Sequence, residues 1–161
     1  MTAEVVERVD RHPFLAGLAP AHRAELSRYG TPATFAAHER IFAEGGVADR
    51  FWLLETGVVA LDMRDPGRGP LIVETLPAGT VLGWSWLVPP YRWAFGAQAW
   101  EETRAVEFDA VAVRARCDAE PAFGYAVLRC FVPVILERMQ ATRLRLLDLY
   151  AVPGPGGGGW T

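Results

Sequence analysis

The chain of 161 residues contains no lysine, and all 16 of its basic side chains are arginine. Against 19 acidic residues they leave a net charge of −3 and an isoelectric point near 5.6. A stand-alone nucleic-acid binder carries a basic face and a high isoelectric point, so direct binding to nucleic acid is not expected. Cysteine is scarce too. Cys117 and Cys130 form no CxxC pair and are too few for a disulfide scaffold. They point to a reduced, cytoplasmic setting. No apolar run reaches the roughly 18 residues that span a bilayer. The acidic, apolar-poor N-terminus does not read as a secretory signal. What the chain does have is a composition of 51% hydrophobic and 22% charged residues, as in a globular domain. It also has six tryptophans, with Trp84, Trp86 and Trp93 inside one ten-residue stretch.

Three textures follow one another along the sequence. Residues 1–11 are polar and read as a frayed segment or short helix. Phe14, Leu15, Leu18, Leu26 and Tyr29 suggest two short helical turns, with Pro20 in the first turn of the second. Thr31-Pro32 ends this region, because a residue before proline avoids the helical conformation. From Ala33 to about Asp109, short apolar runs alternate with turn residues. The runs are Arg40–Ala43, Phe51–Glu55, Val58–Met63, Leu71–Leu76, Ala94–Trp100 and Arg104–Phe108. Strands at such spacing form a sandwich or barrel. Leu71–Leu76 alternates only in part, which suggests a sheet covered on both faces. From Asp118 the pattern turns helical. One helix starts at Glu120-Pro121 and runs to about Phe131. Pro133 either opens a new helix or kinks a continuous one. Ile135, Met139, Thr142, Leu146 and Leu149 then recur at steps of four and three, a seam for pairing with a second copy. Leu136 and Leu147 broaden it, and Arg138, Arg143 and Arg145 lie off it. Residues 152–161 form a Gly/Pro-rich tail.

Within this frame the segment Glu39-Arg-Ile-Phe-Ala-Glu44-Gly45-Gly46-Val-Ala-Asp49-Arg-Phe51-Trp-Leu-Leu-Glu55-Thr-Gly57-Val-Val-Ala-Leu61 resembles the first half of a cyclic nucleotide-binding domain. This is the domain of catabolite-activator and FNR-type regulators and of the regulatory subunits of cAMP-dependent kinase. The Phe14-Leu15-Ala-Gly-Leu18 opening is similar, and Leu136-Glu-Arg-Met139-Gln-Ala-Thr142 looks like the dimerising helix of the bacterial activators. The resemblance covers about residues 13–150. It implies a mainly β domain over residues 1–151: an eight-stranded, cupin-like jelly roll at about 33–110, flanked by N-terminal helices. C-terminal helices at about 119–151 follow, including a long one. It also implies a homodimer paired through that helix. In the regulators a DNA-binding half follows the long helix; this chain is expected to act without one of its own, in the cytoplasm, with a protein as a further partner.

The resemblance carries a ligand site as well. In the family, a Gly-Glu opens a helical turn whose backbone N–H groups receive the cyclic phosphate. The Glu holds the ribose, and an Arg about ten residues later pairs with the phosphate, a guanidinium and a helix end on one anion. Here the stretch reads Leu82-Gly83-Trp84-Ser85-Trp86-Leu87-Val88-Pro89-Pro90-Tyr91-Arg92-Trp93-Ala94. Gly83 is in place and Trp84 stands at the Glu position. An ungapped match puts Trp93 in the Arg slot; a one-residue deletion puts Arg92 there. Losing the Glu removes a charge-assisted hydrogen bond of about 1.5–3 kcal/mol. The implied ligand set is Gly83, Trp84, Ser85, Trp86, Arg92, Trp93, Ala94 and Thr142, for cAMP, cGMP or another small anion. Two functions follow. One is a regulatory module that senses a small molecule. The other is an interaction and dimerisation module whose cassette is plugged by Trp84, Trp86, Trp93 and Phe95. Ser85 suits a cap of the turn. Thr142 suits the helix seam better than a ligand.

Enzyme chemistry finds little support. Jelly rolls also host metal enzymes, yet His12, His22 and His38 form no HxH or HxxxH pair, and no metal is expected. There is no GxSxG, no phosphate loop and no Cys–His pair. Glu39, Glu44, Glu101 and Glu102 read as surface carboxylates. His38 falls at a strand turn where the family has glycine.

Overall fold

The computed structural model describes residues 2–151; the tail expected over 152–161 lies outside the described residues. Helix α1, Ala3–Arg11, starts where the Thr2 hydroxyl accepts the Val5 N–H at 3.3 Å. Val5 and Val9, four apart and so on one face, are its buried residues. A short helical turn, Pro13–Leu15, and α2, Pro20–Ser27, complete the N-terminal cap, with Pro20 at the start of α2 as the sequence suggests.

Eight strands follow: β1 Gly30–Phe35, β2 Arg40–Phe42, β3 Arg50–Thr56, β4 Val58–Asp65, β5 Gly69–Pro77, β6 Val81–Leu82, β7 Gly96–Ala99 and β8 Thr103–Asp109. They form two four-stranded antiparallel sheets, ordered β1-β8-β3-β6 and β2-β7-β4-β5. This is the expected jelly roll. Consecutive buried residues in β3 and β4 place both strands at its centre, with Phe51, Leu53, Leu54 and Val59 fully buried.

Two strands go beyond the six apolar runs. β1 starts at Gly30, before the expected break, and holds Pro32. It is an edge strand, where a missing N–H is tolerated. β6 has only two residues, too short to leave a periodic signal. The expectation for Leu71–Leu76 is corrected. β5 is the edge of its sheet, and only Leu76 in it is buried. Its partial alternation reflects α4 crossing it, where Arg145 Nε donates to the Ile72 carbonyl at 3.2 Å.

Two helices close the fold, α3 Ala110–Ala119 and α4 Pro121–Tyr150. The sequence reading begins helix only at Asp118, so α3 is an addition. Its start is fixed by Asp109, whose carboxylate accepts the Ala112 N–H at 3.1 Å. Pro133 opens no new helix. It sits inside the 30 residues of α4, which reach about 45 Å.

Candidate functional site

The cassette begins where β6 ends. Gly83 has φ +95°, and a Cβ there would lie 3.0 Å from the Trp93 ring. Glycine is therefore required twice, for the backbone angle and for the approach of the indole. One short helical turn follows, Ser85–Leu87. Ser85 does not cap it. Its Oγ instead accepts the Ala94 N–H at 3.2 Å, tying the two ends of the cassette together.

An extended segment returns to β7. Side chains alternate along it. Trp93 points inward and is 6% exposed, while Arg92 points out and pairs through its backbone with Val47. Trp93 stacks on Phe42 of β2 at 3.8 Å and 14°, and lies 6.0 Å from Trp52 of β3. Trp52 stacks on Phe42 in turn and anchors its Nε1 on Glu107 at 2.9 Å. The space left between Gly83, Trp84, Ser85, Trp93 and Arg138 is a cavity of about 10 Å³, room for about one water.

The tryptophans do not act as one cluster. Trp86 lies fully buried in the core, stacked on Phe51 at 4.8 Å and edge-on to Phe131. Its Nε1 has no partner. Trp84 and Phe95 are half-buried on the rim. Ala94 is exposed. Thr142 is half-buried on α4 and donates its hydroxyl to the Arg138 carbonyl at 2.8 Å. Of the eight candidate residues, the fold thus brings Gly83, Trp84, Ser85 and Trp93 to one cavity, sets Ala94 and Thr142 with Trp84 along the neighbouring face of α4, and leaves Trp86 and Arg92 elsewhere.

The sequence reading missed Arg138. It lies off the seam as expected, but turned into the roll and 5% exposed. Its guanidinium donates to Glu74 of β5 at 3.2 and 3.3 Å. Burial lowers the Arg138 pKa and raises that of Glu74. An arginine one residue from a seam position, beside a Glu in a facing strand, is the only sequence trace of this pair. Outside it, α4 runs beside Trp84 and Phe95 and forms a groove of about 580 Å³ lined mainly by apolar atoms.

Other chemistry finds no foothold. Burial pushes the Cys117 thiol up to about 11 and raises that of Cys130, so neither is an activated thiolate. Among the described residues, no three metal-ligating side chains come together, and no helix is long and apolar enough to cross a membrane. His38 has φ +70°, as suits a position where the family has glycine.

The family model for the cyclic nucleotide-binding domain matches residues 32–120. The chain belongs to that family. It is 26% identical over 150 residues to a CRP-like cAMP-activated global transcriptional regulator of Mycobacterium tuberculosis, across 93% of this chain. It spans 65% of that relative's length. Among solved structures, a cyclic nucleotide-binding domain from Methylobacillus flagellatus superposes with a TM-score of 0.74 at 18% identity, covering 94% of this chain and 85% of the other. The regulatory domain of Toxoplasma gondii PKA with cAMP gives 0.59 at 18%, over 68% of this chain and 45% of the other. The matched relative is a regulator, and the solved structures share the fold.

Proposed function

We propose that this chain is a regulatory module of the cyclic nucleotide-binding family whose own aromatic side chains occupy the nucleotide pocket. It pairs with a second copy through α4 and contacts protein rather than nucleic acid. The observation that carries this is Trp93, stacked at 3.8 Å on Phe42 and pressed against Gly83, with about 10 Å³ left beside it. Trp84 supplies no carboxylate for a ribose, Arg92 is turned outward, and the Ala94 N–H is already bonded to Ser85. A cyclic phosphate entering here would have to displace an indole and would meet no charge of its own opposite sign except Arg138, which Glu74 already holds. The net negative charge supports a protein partner over nucleic acid. The two unpaired thiols fit the cytoplasm.

The test is a thermal melt with millimolar cAMP and cGMP. A ligand at 100 times its Kd stabilises by about 2.7 kcal/mol, an easily read shift. The expected shift is none, with unchanged tryptophan fluorescence. A saturable shift with either nucleotide overturns the reading. Sensing of a different small molecule remains a second function, and the groove along α4 is the observation that favours it.

A further inference from the structure

We infer that the groove between the cassette and α4 is a binding slot for an acyl carboxylate, a fatty-acid-like monoanion. This rests on the reading that the interior is closed to nucleotide, and assigns the small molecule that the module takes instead. Three observations carry it. The groove has a volume of about 580 Å³, within the usual size of small-molecule pockets. It is long: its helical wall runs from Ile135 to Tyr150, about 22 Å along the axis. Its chemistry is two-sided. Trp84, Phe95, Met139, Leu146 and Leu147 give it apolar walls, while the only charged residues lining it are Arg138 and Arg143.

No carboxylate lines the groove, so an anion meets attraction only. Arg138 is committed to Glu74 on the floor. Arg143 is exposed and forms no ion pair among the described residues, which leaves its guanidinium for the ligand head group. A carboxylate suits a planar guanidinium in two parallel hydrogen bonds. An extended chain suits a slot that is apolar and runs along a helix. A cyclic nucleotide or a compact sugar phosphate would leave most of the apolar wall unused. The slot shares Met139 and Leu146 with the pairing seam, and Trp84 and Phe95 wall the side toward the roll.

The experiment is calorimetric titration of the full chain with dodecanoate below its micelle concentration, beside decanoate and the neutral 1-dodecanol. One dodecanoate per chain is expected. Each buried CH₂ contributes about fourfold in affinity, so decanoate binds roughly 16-fold weaker. Dodecanol binds about 10–100-fold weaker, for want of a charge-assisted hydrogen bond. Arg143→Gln erases the preference for acid over alcohol. Leu147 lines the slot, is 58% exposed and lies off the repeat of four and three. Leu147→Gln weakens both ligands, and an unchanged melting temperature certifies its fold. Absence of saturable binding to a dimeric chain assigns the slot to the second copy and overturns the inference. Equal affinity for acid and alcohol, or a preference that survives Arg143→Gln, also overturns it. Binding only to anionic phosphatidylglycerol vesicles, with none to monomeric dodecanoate, assigns the face to a membrane and overturns it too. A nucleotide shift in the melt fails the reading of the interior; loss of dodecanoate binding without that shift fails only this slot.

Discussion

Trp93 shows how one side chain can replace a ligand. Its ring fills the space against Gly83, and Phe42 and Trp52 continue the stack across two sheets. Truncating a buried Trp to Ala costs about 3–5 kcal/mol. Trp93→Ala is expected to lower stability by that amount in a urea melt and still to bind no cyclic nucleotide, because Trp84 and Arg92 supply no replacement for the lost contacts. His12 gives a second expectation. It is buried, its Nε2 lies 2.7 Å from the Leu54 carbonyl, and its Nδ1 accepts the Phe14 N–H. That pattern fixes the neutral ring with its proton on Nε2. Burial lowers the His12 pKa below the ordinary 6.5, against weaker opposing effects from the Leu54 carbonyl and Glu55. The unfolded chain therefore takes up a proton before the folded one. The contribution of His12 is complete above about pH 6.5 and is lost as pH falls through the lower folded value. Melting temperature is expected to drop between pH 7 and 5, and His12→Gln to flatten that slope. An equal slope in the variant would move the cause to another group.

At the scale of elements, α4 joins the roll through one buried ion pair. Arg138 reaches Glu74 of β5, and Arg145 reaches the Ile72 carbonyl two residues earlier on the same strand. Removing one partner of a buried pair costs about 3–5 kcal/mol. Glu74 keeps some contact with water, so Arg138→Met is expected near 3 kcal/mol. Adding Glu74→Leu restores most of the loss, a non-additivity that a double-mutant cycle in urea reads directly. Failure of the second change to rescue would mean that Arg138 acts by packing alone. These elements also mark what the sequence could disclose. The six apolar runs, the turn glycines and the seam from Ile135 to Leu149 are local patterns, so their strands and helix are legible from spacing. β6 and α3 are not: one has two residues, and the other mixes Ala, Val and Arg without a clear apolar stripe. In the site, the glycine at 83 and the tryptophan at 84 could be read, since identity alone carries them. The choice between Arg92 and Trp93 could not. It depends on which side of an extended segment faces Phe42, and the register is set by a bridge from Val47 to Arg92. The partnership of Arg138 with Glu74 joins residues 64 positions apart, so no window along the chain contains it.

For the whole molecule, the decisive surface is the outer face of α4. One side of this helix is buried on the roll through Phe123, Val127, Phe131, Val134 and Arg138. The other carries Leu128, Val132, Met139, Leu146 and Leu149, all exposed in the single chain. With Ile135 and Thr142 between them, these residues repeat at steps of four and three over more than 20 residues, longer than the stretch from Ile135 to Leu149 suggests. Monomeric proteins seldom leave so continuous an apolar stripe in water, and a repeat of this period matches the seam of two supercoiled helices. A dimer is the expected state by light scattering. Leu146→Glu sets a carboxylate against its counterpart in a symmetric pair. It is expected to yield a monomer whose melting temperature no longer depends on protein concentration. Met139→Glu, about two turns earlier and 62% exposed, should do the same without touching the core. Val132→Glu probes whether pairing extends toward the N-terminal half of α4. If it leaves the dimer intact while Leu146→Glu splits it, the seam is confined to the C-terminal half. A wild-type chain that scatters as a monomer at every concentration would leave the stripe to another partner and remove the second copy from the mechanism.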